Sequence, residues 1–241
     1  ELRELSRSVN DLAAALENGE RWQKQLTADI AHELRTPLTC LQGNIEAMID
    51  GVWEPAPERL ICCREEILRL AKLVEDLNTL SILERENLKL RKSDFDLAKL
   101  LSQAVEQFRP LTMEKNIALI TELSPAPIHA DYDKLMQVFI NILSNAVKYT
   151  DQGSVAVSIT NASAGSCEVV IRDTGIGISE EALPHIFERF YRSDKSRNRS
   201  SGGAGIGLAI AEAIVSAHGG KITASSGGTN PDGGSVFRVV L

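Results

Sequence analysis

The chain has 241 residues, 43% of them hydrophobic and 24% charged, a composition typical of folded proteins and not of disordered ones. The formal net charge of -7 gives no electrostatic reason to expect binding to nucleic acid. The sequence contains no run of 18 apolar residues, no signal peptide, no C-x-x-C pair and no histidine at metal-ligand spacing from its four cysteines, so neither a transmembrane helix nor a zinc site is expected.

Residues 1–20 carry a heptad pattern with alternating spacings of three and four, which predicts one helix of a parallel coiled coil. Its apolar positions are Leu2, Leu5, Val9, Leu12 and Leu16. The chain begins with Glu1 and not with Met, which indicates a piece of a longer protein. We therefore expect a cytoplasmic fragment whose missing N-terminal part holds any contact with a membrane.

A second heptad run follows, offset by one residue from the first. Its apolar positions are Leu38, Leu41, Ile45, Met48 and Val52. His32 lies off the apolar seam in both heptad frames, so we predict that its side chain is exposed. Because an imidazole ordinarily titrates near neutral pH, an exposed histidine can act as a nucleophile. Pro37 lies between the two runs and predicts a bend or a local loosening of the helix.

Gly51 and the proline-containing segment 53–57 end this helix, and a second helix follows. The second helix has its own seam at Leu60, Cys63, Ile67, Leu70, Val74 and Leu77. The two helices form an antiparallel hairpin, which cannot bury both of its faces alone. Two hairpins paired in a four-helix bundle would bury them, so we predict a homodimer; the alternative is a hairpin docked on its own C-terminal domain.

From Leu88 the pattern changes to short β-type runs that alternate with helical stretches. The predicted strands are 117–120, 155–159, 168–171 and 236–240, and the predicted helices are 97–113, 131–149 and 205–218. This alternation predicts a sheet covered by helices on one face, an α+β sandwich with its own core. The polar stretch 84–87 before it is predicted to be the linker.

Asn141, Asn145 and Lys148 follow one another at i, i+4 and i+7, which places them on one helix face. A hydrated helix face usually carries Glu and Lys, not two asparagines. An amide oxygen can bind Mg²⁺ without repelling phosphates, and a lysine can neutralise those phosphates. The spacing therefore indicates a site for Mg²⁺ and phosphate, although a plain solvated face has the same spacing.

Asp173 follows a predicted strand and precedes two glycines, Gly175 and Gly177, so its carboxylate could accept a hydrogen bond from the amine of a base. Another glycine-rich piece begins the helix at Gly205, where free N–H groups make a phosphate cradle. Neither a Rossmann fingerprint nor a Walker A loop is present. The polar run 193–201 is predicted to be a mobile lid, and residues 233–235 form a fourth piece without an assigned role.

The order of these pieces resembles the sensor histidine kinases of two-component systems along the whole chain. The matching segments are Asp-Ile-Ala-His-Glu-Leu-Arg-Thr-Pro at 29–37, Asn-x-x-x-Asn-Ala-x-Lys-Tyr at 141–149, Asp-x-Gly-x-Gly at 173–177, Phe-Glu-Arg-Phe-Tyr-Arg at 187–192 and Gly-x-Gly-x-Gly-Leu at 203–208. The fourth segment and Ser-Arg-Asn-Arg also resemble envelope-stress sensors of the BaeS kind. One departure is Leu26, where the family often has phenylalanine.

The resemblance implies three domains. Residues 1–20 resemble the last helix of a HAMP signal relay, 21–87 a dimerisation and histidine phosphotransfer domain, and 88–241 a catalytic ATP-binding domain similar in fold to those of gyrase and mismatch-repair proteins. The implied activity is autophosphorylation of His32 by ATP, transfer to an aspartate of a response regulator receiver domain, and dephosphorylation of that regulator. The alternatives are a gyrase-class ATPase and a non-catalytic nucleotide-binding dimeric scaffold.

Around His32 the resemblance implies that Glu33 is a base or orients the imidazole, although side chains at i and i+1 do not face each other on a helix. Thr36 lies at i+4 and shares the histidine's face, at the position thought to orient water for regulator dephosphorylation. Arg192 matches an arginine proposed to stabilise charge on the transferring phosphoryl group.

In the nucleotide domain the resemblance implies that Asn141 and Asn145 hold Mg²⁺, Lys148 the phosphates, Tyr149 the ribose or base, and Asp173 the adenine amine. The glycines implied to allow close approach or to frame the lid and triphosphate are Gly175, Gly177, Gly203, Gly205 and Gly207. Related hydrolytic ATPases have glutamate where Asn141 stands. An amide cannot activate water as a base, which favours transfer over hydrolysis.

Overall fold

The computed structural model describes residues 28, 30–84, 90–162, 166–192, 205–226 and 233–241. The predicted coiled coil at 1–20, the polar run at 193–201 and Gly203 lie outside these residues. The chain divides into two units, the first ending at Val74 and the second running from Glu75 to Leu241. Within the described ranges, no helix has both the length and the hydropathy that crossing a bilayer requires.

The predicted helical hairpin begins in the first unit, and its second helix continues past Val74. Helix α1 covers residues 30–49 and continues through Pro37, and helix α2 covers Pro57–Glu84. Gly51 ends the first helix in a left-handed conformation (φ 71°), which glycine adopts without strain. The guanidinium carbon of Arg59, in the first turn of α2, lies 4.1 Å from the centroid of the Trp53 ring in the connecting loop. The break therefore falls where Gly51 and the prolines predicted it.

Each predicted apolar seam is divided between a buried and an exposed half. Within the hairpin, Cys63 is 7% exposed and Leu41 and Met48 are half-buried. The alternate seam positions are exposed: Leu38 51%, Ile45 40%, Leu60 52%, Ile67 52% and Val74 56%. Leu73, which was not placed on the seam, is buried (6%). One side of each stripe is thus buried or half-buried, and the other side leaves an exposed apolar strip.

The second unit contains two sheets and three helices. Its elements are β1 (Lys92–Asp96), α3 (Leu97–Glu114), β2 (Ile117–Glu122), β3 (Pro127–Asp131), α4 (Tyr132–Tyr149), β4 (Gly153–Ala162), β5 (Ser166–Asp173), α5 (Gly207–Ala217), β6 (Lys221–Ser226) and β7 (Ser235–Val240). The larger sheet has the order β2-β4-β5-β7-β6; β2 and β4 are parallel and the other pairs antiparallel. Strands β1 and β3 form a separate antiparallel pair.

The core lies on one face of the larger sheet. In β4 the side chains of Val155, Val157 and Ile159 are at most 5% exposed, and those of alternate residues are half-buried. Phe139 and Ile142 of α4 are fully buried. This confirms the predicted sandwich, in which helices cover one face of the sheet.

The β1–β3 pair fixes the starts of α3 and α4 through two aspartates. Asp96 ends β1, and its Oδ1 accepts the N–H of Ala126 and an N–H in the first turn of α3, both at 3.0 Å. The hydrogen bond from Ala126 lowers the pKa of the Asp96 carboxyl. Asp131 ends β3 and accepts the N–H of Arg91 (2.8 Å) and one in the first turn of α4 (3.1 Å). Each aspartate therefore caps a helix and joins the two strands.

Candidate functional site

His32 lies on α1 with 77% of its side chain exposed, as predicted from the two heptad frames. The Oε1 atom of Glu33 is 4.0 Å from Nδ1 of the ring, beyond hydrogen-bond distance. A neighbouring glutamate can therefore approach the ring despite the unfavourable i, i+1 spacing. The hydroxyl of Thr36 donates to the backbone carbonyl of His32 (3.3 Å). These three residues form one group in the first unit.

The asparagine face of α4 meets the start of α5. Nδ2 of Asn141 donates to the carbonyl oxygen of Gly207 at 2.8 Å, which leaves Oδ1 as the acceptor of this amide. A Cβ at Gly207 would lie 3.4 Å from the Asn141 amide carbon, so the glycine permits a close approach. Asn145 and Lys148 are half-buried further along α4. The structure thus joins two separately predicted pieces, the asparagine face and the glycine-rich helix start.

The carboxyl end of α4 packs against the turn that follows β5. The carbonyl oxygen of Tyr149 accepts the N–H of Ile176 (3.2 Å). A Cβ at Gly175 would lie only 2.2 Å from that carbonyl oxygen, so no larger residue fits there without displacing backbone. The ammonium of Lys148 lies 4.8 Å from the centroid of the Tyr149 ring, which is 46% exposed. Lys148 and Tyr149, two further residues of the predicted nucleotide site, therefore lie beside the Asp173 turn.

Asp173 is only 2% exposed, and its carboxylate is bound by three donors. Oδ1 accepts the N–H of Gly175 (2.9 Å) and the N–H of Ser235 (3.2 Å), and Oδ2 accepts the Ser235 hydroxyl. An ionised carboxylate has about four acceptor positions, so about one remains for a ligand. These hydrogen bonds therefore hold the Asp173 carboxylate in one orientation.

Ser226 fixes the far side of this turn. Its hydroxyl accepts the N–H of Ile178 (2.7 Å) and donates to the carbonyl oxygen of Gly234 (2.8 Å). Gly177 has a φ of 73°, and a Cβ there would lie 2.7 Å from the Ser226 hydroxyl. The turn is consequently held between the ends of β6 and β7.

Arg192 lies two residues after a backbone contact with the segment that begins α5. The N–H of Phe190 donates to the carbonyl oxygen of Gly205 (2.9 Å), and Phe190 has a φ of 59°, which is unusual for a bulky residue. Gly205 has a φ of 71°, and a Cβ there would lie 2.7 Å from the carbonyl oxygen of Tyr191. This bond places half-buried Arg192 near the helix start that also contacts Asn141.

Ser226 and Ser235 hold the Asp173 turn, although neither was predicted to do so. Residues 233–235 were recognised as glycine-rich, but nothing in that segment names its partner. The only available signal was that β7 would have to lie beside β5, which follows from strand pairing and not from local sequence. Both serines are identified by contacts between residues 48 and 62 positions apart.

Comparison with known proteins gives two matches to domain families. Residues 22–86 match the "His Kinase A (phospho-acceptor) domain", and residues 130–241 match the "Histidine kinase-, DNA gyrase B-, and HSP90-like ATPase" family. The signal transduction histidine-protein kinase BaeS of Escherichia coli is 40% identical, over 100% of this chain and 51% of its own length. The chain thus spans about half the length of this relative.

Two solved structures extend the similarity to the fold. Acinetobacter baumannii histidine kinase AdeS aligns with a TM-score of 0.74 and 30% identity, over 87% of this chain and 96% of that one. Full-length ShkA in complex with AMPPNP aligns with a TM-score of 0.66 and 27% identity, over 88% of this chain and 45% of that one. Both alignments cover most of the chain.

The geometry predicts that Ser235→Ala destabilises the second unit. It removes the donor to Oδ2 of a buried carboxylate, and an unsatisfied buried group costs about 1–3 kcal/mol. Urea unfolding of the whole chain should therefore show a lower free energy of unfolding for Ser235→Ala, whereas Ser235→Thr, which keeps the hydroxyl, stays close to the parent. Ser225→Ala on β6 is the matched control. Equal losses in Ser235→Ala and Ser225→Ala would contradict the assignment.

Proposed function

The chain belongs to the sensor histidine kinases, and on that premise we propose that it transfers the γ-phosphoryl group of ATP to His32 and then to an aspartate of a response regulator receiver domain. The observation that carries this proposal is the presence in one chain of an exposed histidine beside a carboxylate and a separate site built from α4, the Asp173 turn and the start of α5. A phosphoryl acceptor and a nucleotide site are both needed for autophosphorylation.

The side chains of the second unit have the chemistry needed to bind an adenine nucleotide. Asp173 keeps about one acceptor position, which fits the exocyclic amine of adenine. Tyr149 offers an exposed ring for stacking, and Lys148 a positive charge for phosphate. Gly175 and Gly177 are proposed to let the bound nucleotide come close to the backbone of the turn. The AMPPNP bound by ShkA, a relative of similar fold, supports the same choice of ligand.

Asn141 and Asn145 are the residues proposed to hold Mg²⁺. The Asn141 amide nitrogen is already bonded to Gly207, so its oxygen is the atom left to act as a ligand. Neutral amide oxygens suit Mg²⁺, which is normally bound by few protein ligands together with phosphates and waters. When bound, the ion neutralises charge on the phosphate oxygens.

For the transfer step we propose that Nε2 of His32 is the nucleophile, because Glu33 lies beside the other ring nitrogen. The new N–P bond forms as the bond between the γ-phosphorus and its bridging oxygen breaks, and ADP leaves with that electron pair. Glu33 takes the proton from Nδ1, which leaves the phosphorylated ring neutral. Arg192 is proposed to stabilise charge on the phosphoryl group, and Asn141 cannot activate water for hydrolysis.

Thr36 is the residue proposed for dephosphorylation of the regulator. It lies one helical turn from His32 on the same face, so its hydroxyl can reach a receiver domain docked at the histidine. In the structure this hydroxyl is bonded only to the backbone among the described contacts (3.3 Å to the His32 carbonyl), a weak contact that a water can replace.

A homodimer is proposed from the exposed apolar strip of the hairpin. The strip includes Leu38, Ile45, Leu60, Ile67 and Val74, all at least 40% exposed. A second copy would cover the same strip by two-fold symmetry and complete a four-helix bundle.

We also propose that the longer protein is membrane-bound with this portion in the cytoplasm, and fractionation of the full-length protein tests this.

We predict that the chain labels itself with γ-³²P-ATP and Mg²⁺ and that His32→Gln carries no label. The label should be acid-labile and base-stable, as expected of an N–P bond. His129→Gln is the matched control, since His129 is also an exposed histidine but lies on β3. Absence of label in the parent chain would favour a scaffold, and phosphate release without label would favour an ATPase.

For Thr36→Ala we predict slower dephosphorylation of the regulator. The labelled chain, mixed with a receiver domain, provides the measurement.

The dimer proposal predicts that Ile67→Asp yields a monomer. The substitution places a charge in the centre of the exposed strip, where a second copy would bury it at a cost of several kcal/mol. Light scattering after size exclusion measures the mass. Glu65→Ala, on the exposed polar side of α2, should leave the dimer intact. A parent chain that is already monomeric would favour a hairpin covered by its own C-terminal domain.

A further inference from the structure

The carboxyl end of α4 has no glycine to end it. The helix is followed by Thr150 in an extended conformation (φ −106°, ψ 117°). The Thr150 hydroxyl donates to the carbonyl oxygen of Ala146 at 2.7 Å, and Tyr149 accepts the N–H of Ile176. The carbonyl groups of Val147 and Lys148 still need partners, because the carbonyl groups in the last turn of a helix have none within the helix. The carbonyl group of Thr150, directly after the helix, needs one as well.

All three of these carbonyl oxygens converge on one side chain, Lys115. Its Nζ lies 2.9 Å from the oxygen of Val147, 3.4 Å from that of Lys148 and 3.2 Å from that of Thr150. A lysine ammonium has three N–H donors, so donors and acceptors match in number. Its positive charge also suits the negative end of a helix dipole.

Lys115 reaches this position from another part of the fold. It is the residue after α3, and the next residue, Asn116, has a φ of 56° that turns the chain into β2. The Lys115 side chain is 30% exposed, and its ammonium lies 4.0 Å from the carboxylate of Asp151, which is 92% exposed and contributes little. The three carbonyl groups are therefore its main partners.

We propose that Lys115 is a positioning residue for nucleotide binding, an inference that rests on the proposed function in taking ATP as the ligand. It fixes the backbone at Lys148 and Tyr149, whose side chains are assigned to phosphate and base. By holding the end of α4 it also keeps the Tyr149 carbonyl against Ile176 and the Asp173 turn. Lys115 acts through these residues and touches no reacting atom.

The test is the affinity of the full chain for AMPPNP with Mg²⁺, measured by calorimetry well below the melting temperature. Lys115→Met leaves three carbonyl oxygens without the ammonium and should raise the Kd about tenfold. Lys115→Arg should do nearly the same, because a planar guanidinium cannot direct three donors to one convergent set of oxygens. Lys221→Met, an exposed lysine on β6, is the control for charge and should leave the Kd unchanged.

The rate of His32 labelling at saturating ATP should fall by less than about threefold in the variants, because only affinity depends on Lys115. The double variant Lys115→Met/Lys148→Ala should bind more tightly than additive effects predict, since both changes act on the same contact. A purely structural role would lower the melting temperature, leave the Kd unchanged and so overturn the proposal. Should Lys115→Met not fold, Lys115→Arg decides alone.

Outcomes for the two proposals are separate. A parent chain that binds no AMPPNP would contradict the proposed function. A parent chain that binds AMPPNP, together with a folded Lys115→Met variant of equal affinity, would overturn only the role of Lys115. Normal affinity in Lys115→Arg alone would show that charge suffices and would also overturn the three-carbonyl geometry.

Discussion

The hydrogen bond from the N–H of Ile176 to the carbonyl oxygen of Tyr149 is the contact on which the arrangement of the second unit's site depends. It joins the end of α4 to the turn after β5, and it requires glycine at 175, where a Cβ would meet that carbonyl oxygen at 2.2 Å. The same turn provides a donor to Asp173. Side chains proposed for phosphate, base and amine are therefore aligned by one backbone contact.

The other contacts can be understood as supports for that junction. Ser235 and Ser226 hold the turn from β7 and β6, Asn141 ties α4 to the start of α5, and Lys115 closes the end of α4. The amide nitrogen of Asn141 donates to Gly207, and its oxygen is the atom proposed to bind Mg²⁺.

Local sequence predicted the three helices of the second unit, four strands of the larger sheet and the exposure of His32, because each depends on periodicity or on nearby glycine and proline. It missed β1, β3 and β6. The first two are five residues long with few apolar positions, and Ile222 is the one buried residue of β6. The local pattern also predicted one apolar seam on each hairpin helix. In the structure, alternate positions of each seam are exposed and the others are buried or half-buried. Ser235 and Lys115 act across distant segments, which no local pattern encodes.

Hydrogen exchange measured with and without AMPPNP and Mg²⁺ tests most directly whether α4, the Asp173 turn and the start of α5 form one nucleotide site. The predicted result is slower exchange in peptides covering 141–149, 173–178 and 205–210, with no change in the edge strand β2 at 117–122. Protection confined to other segments, or bound nucleotide with any of these three segments unprotected, would contradict this account.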